Sequence, residues 1–496
     1  MNLYASDPQF AKPIHMNFDA QGRLWIASSE VYPHIKPGQK ATDKIIVLED
    51  KDGDGVAETT HTFVDNLLIP TGVAPTKNGC YVANSTELVY FEDLDGDMRA
   101  DKRTVVLSGF GTEDTHHLLH SLRWGHDGCL YMNQSIYIHS HVETPYGVKR
   151  MNGGGIWRFR PETMKLDVYC LGFVNPWGHH FDYWGQSFAT DGAFGEGINY
   201  VFPGAVFTHS PGEPRRLIGL NPGSPKHCGL EIVSGRHLPD EMQGNMITND
   251  FRANRVCRFV VTEDGSGYAS RQETELIKTK HVAFRPIDVK MGPDGALYVA
   301  DWYNPIIQHG EVDFRDPRRD HVHGRIWRLT AKGRDTIEHP EIHGAKIDQL
   351  IGLLNAPENW VRLHAKLELQ RRQHDQVASA LDNWLEQLDQ QAENDDHQRL
   401  EAMWLLQCLN RTDETLLASL LQSADHRVRA AAMRVVGLRQ GDLGRAMQYM
   451  TAGIRDDHPR VRLEAVRALA YRPEREAAET AMLVLNKPMD RFLDFA

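Results

Sequence analysis

Between Gly109 and Tyr131 the chain reads GFGTEDTHHLLHSLRWGHDGCLY, and His116, His117, His120 and His126 fall within eleven residues, beside Glu113 and Asp114. Imidazole is the side chain most easily poised for proton transfer or metal ligation near neutral pH, so this density points to acid-base chemistry or a ligand site. The plainer alternative is that these histidines cap loops. His120 and His126 flank a strand and an Asp127-Gly128 turn and read as structural, which leaves His116 and His117 to act. A different chemistry is offered by two acidic loops. EDKDGDGVAE places Asp50, Asp52, Asp54 and Glu58 at offsets 1, 3, 5 and 9, and EDLDGDMRAD places Asp93, Asp95, Asp97 and Asp101 at the same offsets 43 residues later. That spacing wraps carboxylate oxygens around a hard cation such as Ca²⁺; solvated Asp-Gly hairpins without metal are the alternative. His61 and Thr104 stand where an EF-hand loop carries its bidentate Glu, and Met98 stands at the second loop's turn glycine.

The elements that position these groups are legible as a repeat. DAQGRLWIAS, TKNGCYVANS, GHDGCLYMNQ, DYWGQSFATD, EMQGNMITND and GPDGALYVAD each join a turn ending in Gly to a short alternating apolar strand. Their glycines, Gly22, Gly79, Gly128, Gly185, Gly244 and Gly295, are 49 to 59 residues apart. Glycine supplies the positive φ of the hairpin turn, and half-apolar β-branched strands suit a pleated sheet. Six copies predict a six-bladed β-propeller of four-stranded blades, in which radial closure leaves only short edges. GGGIWRFRP and HGRIWRLTA echo one another with Trp157 and Trp327 170 residues apart, three blade periods.

Polar residues recur at the ends of the repeat strands: His139, His141, Asn175, His179, His180, Asp191, Asp250, Arg252, Arg285, Asp301, Tyr303 and Asn304. They are candidates for one convergent site at a channel mouth; turn formation and inter-blade ties are the alternative for each singly. The run 306–329, which includes His309, Glu311, Asp313, Arg315, Asp316 and Arg319, alternates in charge and reads as paired charges in a loop.

A net charge of −12 argues against a general affinity for nucleic acid. The six cysteines are scattered without CxxC or CxxCH and read as small core residues. The N-terminal stretch lacks the pattern of a secretory signal, and no apolar run reaches the length of a membrane span.

From about Ile347 the period becomes helical. Val361-Arg362-Leu363-His364-Ala365, Gln398-Arg399-Leu400-Glu401-Ala402, Val428-Arg429-Ala430-Ala431-Ala432 and Val461-Arg462-Leu463-Glu464-Ala465 lie 37, 30 and 33 residues apart. This predicts an all-α, HEAT-type solenoid over 347–496 after a propeller over 1–335 and a linker over 336–346, with Asn359, Asp425 and Asp457 as N-caps. Such a solenoid would also recruit a protein partner.

GRLWIAS, the DxDGDG loop, TEDTHHLLHSLRWGHDG, NPWGHHFD, PIDVKMGPDGALYVADWY and HGRIWRL together resemble the membrane-bound dehydrogenase family of bacterial six-bladed propellers, over roughly residues 2 to 335. That family is related to soluble glucose and sorbosone dehydrogenases that use pyrroloquinoline quinone. The resemblance implies an oxidoreductase acting on a hydroxyl or aldehyde of a sugar-like substrate, with electrons passing through the quinone to a cytochrome. His117, by its distance to the following Gly-x-Asp turn, matches the general base. Asn175 matches a cofactor contact of those relatives; with it His116 and Arg285 of the channel-mouth set are the expected cofactor contacts, and Asp191, Arg252, Asp301 and Tyr303 of the same set the expected substrate contacts. An Arg-Asn-Pro segment of those relatives reads Val174-Asn175-Pro176 here, and their hydroxyl residue after Pro is Ile287. The resemblance also implies a periplasmic or secreted protein, and a haem domain and signal peptide that this stretch of sequence does not contain. Two further function classes stay open: a glycan- or protein-binding propeller, and a metal-dependent hydrolase using the His and Asp cluster.

Overall fold

The computed structural model describes residues 1–193, 197–209, 216–221, 226–307, 311–389 and 391–496; His309 of the charged run lies outside them. Six antiparallel sheets follow one another along the first two thirds of the chain. Blade 1 runs through Pro13–Phe18, Leu24–Ser28, Asp43–Glu49 and Thr59–Leu67, and blade 2 through Pro70–Thr76, Gly79–Asn84, Glu87–Glu92 and Lys102–Ser108. In each blade the first strand is innermost, and the six innermost strands begin at Pro13, Pro70, His120, Pro176, His227 and Pro286. The N-terminal strand Asn2–Ser6 pairs with Arg325–Leu329 as the outer strand of blade 6, so the chain's start closes the ring on its last blade. That closure removes the edge which an open sheet would present.

Five of the repeat glycines fall between the first and second strands of a blade, and Gly79 opens the second strand of blade 2. Five have φ between +73° and +81°, as the turn requires. Gly79 does not: there a Cβ would lie 1.9 Å from the carbonyl oxygen of Phe91, so close backbone approach is what demands glycine. The four-strand pattern is altered in three blades, and in blade 5 the change is a short fifth strand, Ile277–Lys278, that pairs with Arg255–Asp264. Blade 4 has three strands, Pro176–Phe181, Ser187–Asp191 and Gly197–Val201, because the chain then returns to blade 3 and adds Ala205–Val206 in parallel to its outer strand. Blade 3 also carries an inserted hairpin, His139–Thr144 with Gly147–Asn152.

Ten α-helices follow among the described residues. Asn359–Leu369, Asp395–Cys408, His426–Arg439 and Pro459–Leu469 contain the four repeated motifs and pack on the propeller. Trp404 packs against His126 with tilted rings and centroids 4.5 Å apart, Arg434 Nη1 donates to the Gly185 carbonyl at 2.8 Å, and Arg460 Nη2 donates to the Gly267 carbonyl at 2.7 Å. The helices therefore cover the end of the propeller where the Gly128 and Gly185 turns lie. Repeat arginines Arg362, Arg429 and Arg462 each donate to carbonyls five or six residues upstream. Only Asp425 of the three expected N-caps acts as one; the other two helices are preceded by Glu358 and by His458, whose ring accepts from the Arg460 N–H. All six cysteines are buried and unpaired. No described helix is long and apolar enough to cross a membrane.

Candidate active site at the channel mouth

At the propeller end away from the helices, the starts of the innermost strands surround a cavity of about 230 Å³. Ile14, Thr71, His120, Trp177 and Ile287 line it, one from each of five blades, and each lies eight residues before its blade's repeat glycine. Blade 5 adds Lys226, just ahead of its innermost strand. Tyr32, Phe251 and Trp302 supply further aromatic wall. Below the mouth the channel is filled by buried ion pairs. Glu231 accepts from His180 Nε2 at 2.5 Å and from Arg123 at 3.2 Å, and Lys290 donates to Asp288 at 2.5 Å. His180, expected at the rim, belongs to this plug, and His179 is bonded to Ser187 Oγ inside its blade.

His116 and His117 reach the cavity from the loop that leads into blade 3. Asp114 lies between them: its Oδ1 is 2.9 Å from His116 Nδ1 and its Oδ2 is 3.0 Å from His117 Nδ1. Burial raises the pKa of this carboxyl, but the two imidazoles outweigh it and hold Asp114 well below the usual carboxylate range. At His116, where this contact is a hydrogen bond, a carboxylate on Nδ1 selects the tautomer in which Nε2 is the basic nitrogen, and at His117 the same carboxylate lies within ion-pair distance of Nδ1. His117 is 2% exposed, and the exposed Tyr137 ring meets it edge-on with centroids 5.0 Å apart. His120 is the structural tie expected of it, with ring nitrogens 2.6 Å from the carbonyls of Leu118 and Pro176. Burial lowers its pKa to about 4, against the pull of those two carbonyls.

Of the expected contacts, His116, His117, Asn175 and Arg252 line the cavity together. The Oδ1 of Asn175 is buried without a hydrogen-bond partner. Arg285, Asp191, Asp301 and Tyr303 do not line it, which corrects their expected roles. Arg285 donates to the carbonyls of Asn304, Phe251, Arg252 and Pro305 and so ties blade 5 to blade 6. Asp191 accepts the backbone N–H groups of Val174, Asn175 and Ala193, and Asp301 those of Arg285 and Tyr303 plus the Arg325 guanidinium. Both are loop organisers at the end of a second strand. Tyr303 sits under Arg325, whose guanidinium carbon is 4.5 Å from its ring centre. His139 lies on the inserted hairpin, 3.3 Å from Glu113. Lys226, Trp177, Tyr32 and Trp302 were not singled out from sequence, although the eight-residue offset from the repeat glycine marks the position of Trp177.

The two acidic loops join the third and fourth strands of blades 1 and 2 and fold alike. Asp50 accepts the N–H groups of Gly53 and Gly55 at 2.8 Å, and Asp93 those of Gly96 and Met98 at 2.7 and 3.0 Å. Glu58 and Asp101 accept from Lys51 and Leu94 in the same way. Oxygens of Asp50, Asp52, Asp54 and Glu58 lie within 4.8 Å of one another, as do those of Asp93, Asp95 and Asp101, a grouping that omits Asp97. Met98 adopts φ +67°, matching Gly55 at +87°. His61 and Thr104 are already in the outer strands. Among the described residues the remaining cluster of metal-type side chains is Glu263, His426 and His458, at the join of propeller and helices and away from the cavity.

The family model described as "Domain of unknown function (DUF7133)" matches residues 1–216 and 221–333. No curated protein matches the chain. Solved structures similar to it include an oxidoreductase (glucose dehydrogenase) of Thermus thermophilus, 19% identical, covering 66% of this chain and 98% of that one with a TM-score of 0.47. The aldose sugar dehydrogenase of Streptomyces coelicolor in its PQQ-bound form is 16% identical over 66% of this chain and 96% of that one, TM-score 0.44. The soluble aldose sugar dehydrogenase of Escherichia coli in its apo-form is 12% identical over 66% and 98%, TM-score 0.39. The six-blade assignment itself is carried by the strand order.

Proposed function

The chain belongs to the DUF7133 family, and from that premise and the geometry of the mouth we propose that it is an oxidoreductase that removes a hydride and a proton from a sugar-like hydroxyl. The observation that carries this reading is His117 on the wall of a cavity at the channel mouth, with the Asp114 carboxylate 3.0 Å from its Nδ1. In this reading His117 Nε2 takes the hydroxyl proton, and the Asp114 carboxylate stabilises the imidazolium that results. The aromatic side chains of Trp177, Phe251 and Trp302 and the unpartnered Asn175 Oδ1 suit a flat, hydrogen-bonding ring system such as pyrroloquinoline quinone. Asn175 and His116 would hold it, and when bound it supplies the two-electron acceptor. The ion pairs that plug the channel below exclude bulk water from that face of the cavity. Ca²⁺ in the two acidic loops would pin the outer hairpins of blades 1 and 2, remote from the reaction. We further read the protein as periplasmic or secreted, with a cytochrome as electron acceptor and the helical repeats as a partner surface.

The test is equilibrium binding of pyrroloquinoline quinone to the full chain, followed by quenching of tryptophan fluorescence. Saturable one-to-one quenching, weakened about tenfold or more by Asn175→Ala, supports the reading. Absence of quenching, together with no dye reduction on any sugar, sinks it.

A further inference from the structure

The cavity carries positive charge that the described chain does not neutralise. Half-buried Lys226 and exposed Arg252 both line it, and among the described residues neither side chain makes a hydrogen bond or an ion pair. Arg285 lies behind them with its guanidinium on the carbonyls of Phe251 and Arg252. Burial first, and then the charge of Arg252, push the pKa values of both Lys226 and Arg285 down. Asp191, which acts on Lys226 from nearby, is 2% exposed and accepts three backbone N–H groups, so it belongs to its loop. Glu311, the carboxylate on the lining, is exposed.

Lys226 and Arg252 at one mouth, with Arg285 behind them, repel one another, and they do so in a chain whose net charge is −12. Long cationic side chains such as Lys226 and Arg252, not paired among the described residues and on a wall facing a base, are placed to meet an anion by charge-assisted hydrogen bonds. We propose that the substrate of this site is a sugar acid, whose carboxylate lies between Lys226 and Arg252 while one of its hydroxyl groups reaches His117. This rests on the dehydrogenase reading above and names its substrate class. The carboxylate is unchanged in the reaction. The hydroxyl carbon gives up a hydride, with its two electrons, to the quinone acceptor, the hydroxyl proton passes to His117, and the carbon is left as a carbonyl. A carboxylate also arrives on pyrroloquinoline quinone itself, so the two sources must be separated.

The experiment is titration calorimetry of the full chain with D-glucuronate and with D-glucose, first without cofactor and then with saturating pyrroloquinoline quinone and Ca²⁺. Glucuronate is expected to bind at least about tenfold more tightly than glucose in both conditions, with the preference shrinking as salt is raised. Lys226→Gln and Arg252→Gln are each expected to remove most of the preference at unchanged melting temperature, and His117→Gln to keep it. Equal binding of the two sugars, or a preference that survives both charge variants, overturns the proposal. So does displacement of glucuronate by the cofactor, which would assign the two cations to the cofactor's own carboxylates. If glucuronate binds as expected but no sugar or sugar acid reduces a dye, the sugar-acid site stands and the dehydrogenase reading falls.

Discussion

Asp114 serves two histidines with one carboxylate, and on the proposed reading it is a positioning residue for His117. Asp114→Asn is expected to lower kcat about 10²-fold with KM changed less than about threefold, and Asp114→Glu to recover part of the loss. Steady-state kinetics of the two variants check this; equal damage by both, or an effect confined to KM, would show that Asp114 only shapes the loop. The sequence made His116 and His117 visible because they are dense and close to a repeat glycine. Arg285, Asp191 and Asp301 were misread for a physical reason: spacing locates a residue at a strand end but does not say whether its side chain turns towards the channel or back onto backbone N–H and carbonyl groups. Lys226 escaped notice because blade 5 carries a longer stretch between its innermost strand and Gly244 than the other blades do, which breaks the eight-residue offset.

At the scale of elements, the blade count was legible because each innermost hairpin needs its glycine, and the helix layer because its motif recurs, with the Arg of three of the four repeats binding carbonyls five or six residues upstream. The three strands of blade 4 were not, since a chain returning to its neighbour's edge leaves no mark on the hydrophobic period. The paired acidic loops make an element-scale prediction. If they bind Ca²⁺, removal of the ion by chelation lowers the melting temperature. At an ion concentration 100-fold above Kd the lost stabilisation is about 2.7 kcal/mol. Asp50→Asn should abolish most of the response in the first loop. Differential scanning calorimetry with and without chelator reads this directly, and superimposable curves would leave the loops as plain Asx-stabilised turns.

The whole molecule buries several of its histidines, and burial pushes their pKa values down. His15, His227 and His397 are held at about 3, and His126 and His364 at about 4, burial being the main cause in each. An unfolded chain binds protons at these sites below about pH 6.5 whereas the folded chain does not, so stability present at pH 7 is lost as pH falls from about 6.5 towards 4. Each site can remove up to about 2 kcal/mol at pH 5. Asp182, raised to about 6 by burial, acts in the opposite direction over the same range but is outnumbered. The melting temperature is therefore expected to drop steeply between pH 7 and 5; a flat profile would contradict the burial of these rings. His126 of the propeller packs on Trp404 of the helix layer, and His397 of that layer stacks on Tyr183 of the propeller, so the layer and the propeller should come apart in one transition.

Helices cover one end of the ring, and the cavity with its base opens at the other. The most direct test of that arrangement as an active site is rapid-mixing reduction of the quinone-loaded protein by glucose and by glucuronate, followed at the cofactor's absorbance for the native chain and for His117→Gln. The account predicts full reduction by at least one of the two in the native protein, and a rate at least about 10²-fold lower in the variant with cofactor binding unchanged. Reduction of the variant at the native rate, or no reduction of the loaded native protein by either, would contradict it.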